Sequence, residues 1–210
     1  MNKTTNNSLI FAGGLFLALL LGGCSFKAGY NSTYLPPEGV IAKVDEPILI
    51  VMTKDEQEWV YSGHPTSFTG GATTLTIPLG NITKQIALEV FSRRFKSAEL
   101  AHELPADSEF RLALNPRIKH FEYAYNQLKN LGFAITPEVQ LDLTVKLLNS
   151  AGKHAFEKTY SSGLRSGSSY MISGSPHEKI NATIHKTLFE LMELAAKDTE
   201  GYLSRLPTTE

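Results

Sequence analysis

Residues 139–147, VQLDLTVKL, alternate apolar and polar side chains without a break. Successive side chains of a strand point to opposite faces, so Val139, Leu141, Leu143, Val145 and Leu147 share one face, and Gln140, Asp142, Thr144 and Lys146 share the other. The segment NSAGK (149–153) reads as a turn, and HAFEKTYSS (154–162) returns with Phe156 and Tyr160 on one side. This is an antiparallel hairpin with one wet face and one apolar face. The rest of the chain must supply the layer that covers the apolar face.

Two segments qualify. Ile82, Ile86 and Val90, with Ala87, Phe91 and Phe95, form a helical stripe that starts at an Asn81 N-cap and ends before Pro105. Ile180, Ile184, Leu188, Leu191, Met192 and Ala195 form a second stripe. It opens on Ser175-Pro176, with Glu178 completing a capping box, and runs to about Leu206. Further strands are expected at PILIVMT (47–53), at TLTIPLG (74–80), and from Glu109 through Tyr125 with a break at Asn115-Pro116. Residues 61–74 and 161–175 read as loops, the second rich in Ser and Gly and expected to be mobile. The order predicts an α+β fold, a two-layer sandwich of mainly antiparallel sheet with two helices on one face. One domain is expected over residues 47–210.

Residues 9–21, LIFAGGLFLALLL, follow a polar start with Lys3 as its only charge. The run is too short for a spanning helix of ~20 residues and fits a secretory leader. Cys24, the chain's single cysteine, comes directly after Leu21, Gly22 and Gly23. That string resembles the lipobox of bacterial lipoproteins. The resemblance implies a signal peptide over 1–23, recognition of Leu21, Gly22 and Gly23 by the signal peptidase, and a mature chain starting at Cys24. It also implies covalent lipid on Cys24, a diacylglycerol on sulfur and a further acyl chain on the new amino group. Stable anchoring takes two or more chains, so such a protein is held at a membrane. Ser25 stands where an aspartate would resemble the inner-membrane retention signal, which favours the outer membrane. Residues 24–46, with Pro36, Pro37, Gly29 and Gly39, read as a partly extended tether.

Loss of Lys3 with the leader leaves 19 basic side chains against 21 acidic ones, without basic clusters, which argues against nucleic acid. Acylation of Cys24 would leave no thiol for disulfides or metal. Ser150-Ala151-Gly152-Lys153 matches S-x-x-K, but falls in a turn rather than opening a helix as the nucleophile motif requires. The glycine-rich stretches contain neither phosphate-binding pattern. His64, His102, His120, His154, His177 and His185 are scattered. His177 and His185 lie roughly 80° apart on their helix, unlike an i, i+4 zinc pair. No metal and no cofactor are expected, and no enzymatic activity. The set Trp59, Tyr61, Phe121, Tyr123 and Tyr125 admits two readings. These aromatics either pack a core, or, with Arg117 and Lys119 before them on the strand, form a face for a partner or lipid headgroups.

A lipobox, an early apolar strand, IPLGNITKQIALEVFSRRF, ADSEFRLALNPRIKHFEYAY, VQLDLTVKLLNSAGKHAFEKTYSSG and a long last helix together resemble small outer-membrane lipoproteins of the YajG type. In architecture the chain is also similar to the lipopolysaccharide-assembly lipoprotein LptE and to the sheet-and-helix unit of the curli secretion lipoprotein. The resemblance implies a non-enzymatic periplasmic module, lipid-anchored at the outer membrane, that binds another envelope component. A second reading is an auxiliary lipoprotein of a lipid-transport system, with the apolar sheet face holding an acyl chain. The expected partner-binding residues are Arg165, Tyr170 and Met171, a charge, an aromatic and a flexible apolar side chain on the long 161–175 loop.

Overall fold

The computed structural model describes residues 25–39, 42–105, 110–128, 133–149, 151–171 and 176–206. The elements run β1 (Ser25–Lys27), a 3-10 turn (Ser32–Tyr34), β2 (Val44–Val51), α1 (Lys54–Glu58), β3 (Tyr61–Gly63), β4 (Thr74–Ile77), α2 (Leu79–Arg94), β5 (Phe95–Ala101), β6 (Leu112–Asn126), β7 (Ala134–Asn149), β8 (His154–Ser166), β9 (Tyr170–Met171) and α3 (Pro176–Leu203). The larger sheet has the order β5-β2-β6-β7-β8, with β9 paired to the start of β7. Its β6-β7-β8 part is antiparallel, whereas β2 is parallel to both β5 and β6. A smaller sheet, β1-β4-β3, lies apart from it. The α+β class predicted from the sequence is the observed one.

The alternation in β7 does what its period demands. Val139, Leu141, Leu143, Val145 and Leu147 are all fully buried, packed in one core with Ile82, Ile86, Val90 and Phe91 of α2 and Ile180, Ile184, Leu188 and Met192 of α3. On the opposite face Thr144 and Thr159 share a hydroxyl hydrogen bond of 2.8 Å across β7 and β8.

β6 changes parity along its length. Leu112, Leu114 and Ile118 lie opposite Asn149, Leu147 and Leu143, while Phe121, Tyr123 and Tyr125 lie opposite Leu141, Val139 and Pro137. A bulge between Ile118 and His120 supplies the extra residue that moves the core face from even to odd positions. The expected break at Asn115-Pro116 does not occur. Pro116 stands beyond the last β2 pairing, at Leu114, in an edge-like position that tolerates proline. Asn115 holds the strand there by donating from Nδ2 to the Val51 carbonyl at 2.6 Å.

Three other expectations are corrected. α2 begins at Leu79 with Pro78 at its cap position and no side-chain cap bond, so Asn81 lies inside the helix. Residues 95–101 form a strand parallel to β2, where the sequence suggested only the fraying end of a helix. The segment 24–46 is not a free tether over its described part. β1 pairs in parallel with β4, Ser25 opposite Thr74. Asn181 donates to the Gly29 carbonyl at 2.7 Å, and the Asn31 N–H donates to His185 Nε2 at 3.0 Å. Arg93 reaches the Pro36 carbonyl at 3.1 Å. These polar contacts follow no hydrophobic period, which is why the sequence hid them.

Candidate functional site

The expected 161–175 loop is largely strand over its described residues, 161–171. β8 continues to Ser166 because a bulge opposite Leu141 absorbs Ser162 and Gly163. Gly163 adopts φ +59°, the left-handed conformation that glycine tolerates. The Ser162 hydroxyl accepts the Leu141 N–H at 2.9 Å and so keeps that backbone group satisfied. The chain then crosses close over α3. Gly167 donates its N–H to the Pro137 carbonyl at 2.8 Å, and a Cβ on Gly167 would sit 2.1 Å from Thr183 Oγ1. Tyr170 and Met171 finally pair with Ile135 and Ala134.

This crossing leaves a cavity of about 530 Å³ between residues 164–168 and α3. On the helix its lining residues are Lys179, Ala182, Thr183, Lys186, Thr187 and Glu190. Their spacing of three and four places them on one side of α3. Arg165 faces them from β8 and lies 3.8 Å from the Glu190 carboxylate. Three cations therefore meet one carboxylate around a polar groove, a surface suited to an anionic or acidic group.

The structure separates the three residues expected to act together. Arg165 lines the groove. Tyr170 is only 8% exposed, and burial pushes its phenol up to about 12, so it stays neutral and serves packing. Met171 is exposed beside the start of β7, outside the groove lining. Lys179, Lys186 and Glu190 were missed. Their signal in the sequence is a polar stripe that reads equally well as the solvated side of an amphipathic helix.

Along the same edge, Lys158 and Tyr160 both donate to Asp198 of α3, at 2.6 and 2.7 Å. Burial would raise the Asp198 carboxyl, but these two bonds and the Lys158 charge hold it below the usual carboxylate range. Burial, and then the Asp198 partner, push the Tyr160 phenol up. The arrangement clamps edge strand to helix.

The aromatic set resolves as core. Phe121, Tyr123 and Tyr125 are buried, and the Tyr61 ring meets Phe121 edge-on at a centroid distance of 4.7 Å. Tyr123 donates to the Gly63 carbonyl at 2.9 Å. Because of the bulge, Arg117 and Lys119 do not share their face. They line a shallow polar patch with Asn115, Thr144, Lys146 and Glu157. Arg117 also pairs with Glu56. Trp59 stands apart, in a small pocket with Met52, Glu56, Thr83, Pro116 and Ile118. Residues 151–153 lie in the β7–β8 turn, with Gly152 at φ +71°, while Ser150, Ser175, Cys24 and Leu21 to Gly23 lie outside the described residues. Among the described residues no three His, Cys, Asp or Glu side chains group to hold a metal ion, and no helix is long and apolar enough to cross a membrane.

No family model matches the chain, and no curated protein matches it in sequence. Solved structures do. A Xanthomonas campestris protein of the DUF330 family aligns with a TM-score of 0.53 at 12% identity, over 86% of this chain and 97% of that one. A minor lipoprotein from Acinetobacter baumannii aligns with a TM-score of 0.40 at 10% identity, over 80% of this chain and 99% of that one, too low a score to carry an argument. The first likeness establishes a shared fold: the chain has the same α+β architecture as the Xanthomonas protein.

Proposed function

We propose that this protein is an envelope lipoprotein, anchored through acylated Cys24 at the outer membrane and facing the periplasm, that binds another envelope component without catalysing a reaction. The observation that carries the binding role is the cationic groove between residues 164–168 and α3. Its occupant is an acidic segment or anionic group of the partner, matched to Arg165, Lys179 and Lys186. The apolar sheet face, which a lipid-transport role would need for an acyl chain, is filled by α2 and α3. That favours the first reading over the second.

The test is a photocrosslinking residue in place of the exposed Ser168, expressed in cells in the full chain. A crosslinked product that disappears on Lys179→Glu with Lys186→Glu is expected. The same product from both chains, or none from either, overturns the groove as the binding surface. The anchor is tested separately: Cys24→Ser should abolish incorporation of labelled palmitate, and label retained in the mutant excludes it.

A further inference from the structure

Four large apolar side chains stand in solvent at one end of the molecule: Phe68 (101% exposed), Leu128 (89%), Phe133 (75%) and Met171 (65%). Topology collects them there. Leu128 and Phe133 flank the β6–β7 turn, just past Asn126 and just before Ala134. Met171 pairs with Ala134. Phe68 follows Ser67, whose hydroxyl accepts the Tyr125 N–H at 2.8 Å near the end of β6. Exposed apolar residues scattered singly need no explanation, but a group crowning one end of a sheet marks an interaction site.

The start of the mature chain lies at this same end. Ser25 is opposite Thr74, and the Thr73 N–H donates to the Gly70 carbonyl at 2.7 Å within the loop that carries Phe68. β1 is parallel to β4 and runs from this end into the body of the domain. Because residues 25–37 are docked rather than free, there is no spacer between Cys24 and the folded domain. One residue of extended chain spans at most ~3.6 Å. A lipid on Cys24 therefore draws this end against the bilayer, with the four side chains at the level of the headgroups.

We propose that Phe68, Leu128, Phe133 and Met171 form a rim that enters the membrane interface around the acyl anchor and fixes the orientation of the domain. The proposal rests on the lipoprotein reading of Cys24. Its occupant is a phospholipid surface. Aromatic and long apolar side chains at the acyl–headgroup boundary add to the hold of a lipid anchor and restrict tilt, which acyl chains alone leave free.

Trp59, the single tryptophan, supplies an internal reference, since it precedes the end of β3 that is remote from Gly63 and the Phe68 loop. The full acylated chain is reconstituted in vesicles of phosphatidylethanolamine and phosphatidylglycerol containing a lipid brominated near the glycerol. Trp59 in the native chain should keep its emission. Phe68→Trp, and separately Leu128→Trp, each in a Trp59→Phe background, should lose emission and shift to the blue. Intact mass reports acylation of Cys24 in the same sample. Acylated protein with unquenched probes at 68 and 128 overturns the rim and leaves the anchor standing. Quenched probes on a chain without the acyl mass overturn the anchor and leave the rim. A blue shift without quenching means that protein covers this end, and overturns the rim.

Discussion

β7 and the N-terminal segment Ser25–Pro37 are both held against the helices, by different means. β7 presents five fully buried aliphatic side chains to the helices, and its strand neighbours cover both edges. The N-terminal segment presents a short strand, the partly buried Phe26, Ala28, Tyr30 and Leu35, and hydrogen bonds to Asn181, His185 and Arg93. Tyr30 and Tyr34 pack their rings on His185. The first region is secured by area, which is tolerant of small changes and intolerant of charge. The second is secured by a few directional bonds and a small apolar contact, so that loss of one partner falls mainly on the segment it holds.

The strongest way to break the β7 side is Leu143→Asp. Its side chain is fully buried between β7 and the helices, opposite Ile118 and Tyr160. An unpaired buried charge costs several kcal/mol, comparable to a total stability of ~5–15. Loss of the cooperative thermal transition is expected. Thr144→Ala, one residue away on the other face, removes only the bond to Thr159 and should cost about 1 kcal/mol in a denaturant titration. Equal effects would mean that the two faces are not distinct.

The corresponding change on the N-terminal side is His185→Ala. His185 is fully buried; its Nδ1 donates to the Asn181 carbonyl at 2.8 Å, and its Nε2 accepts from Asn31. Its loss leaves the Asn31 N–H unmatched and opens a cavity under two tyrosines, a cost of about 2–4 kcal/mol. Hydrogen exchange should rise over residues 26–35 well before it rises over 139–147. Simultaneous exposure of both segments would show that they unfold as one unit.

Acid offers a milder form of the same break. Burial lowers the His185 pKa below 6.5, and the Asn181 carbonyl only partly restores it. A released segment exposes the ring, which then takes up a proton below 6.5 that the docked ring refuses. The docked state therefore has its full advantage above pH 6.5 and loses it progressively as pH falls toward the lowered value. Exchange over residues 26–35 should accelerate between neutral and mildly acidic pH in the native chain, and His185→Gln should flatten that dependence.

These contrasts also explain what could be read from the sequence. The β7–β8 hairpin and both helix stripes were legible because burial imposes a period of 2 or of 3.6 on side-chain polarity. The parity change in β6 was written in Leu112 and Leu114 against Phe121, Tyr123 and Tyr125, yet the conspicuous Asn115-Pro116 drew the interruption to the wrong place. β5 was hidden because FKSAELA has no alternation, and the end of β8 because Ser and Gly there serve a bulge and a close crossing over Thr183. The docking of residues 25–37 combines Phe26, Ala28, Tyr30 and Leu35 packed against the core with bonds to Asn181, His185 and Arg93. So short an apolar set ahead of Pro36 and Pro37 gave no sustained period. In the groove, Arg165 was legible as an exposed cation on a Ser/Gly stretch. Its neighbours Lys179 and Lys186 were not, since only the crossing of residues 166–168 turns a solvated helix side into a wall.

The smallest effect is expected at Arg165 itself. Its guanidinium is half exposed, and its 3.8 Å approach to Glu190 is loose for an ion pair. Such pairs contribute about 0–1 kcal/mol, less at higher salt. Lys158, further along the same strand, makes a closer contact of 2.6 Å to Asp198, so the edge keeps its clamp when Arg165 is lost. Arg165→Ala should therefore lower the melting temperature barely beyond error. Lys158→Ala should lower it more, because the Asp198 carboxylate then retains only the Tyr160 hydroxyl of its two side-chain donors. If Arg165→Ala instead proves the more damaging, the groove is closed by that ion pair as part of the fold and is not a surface kept open for a partner.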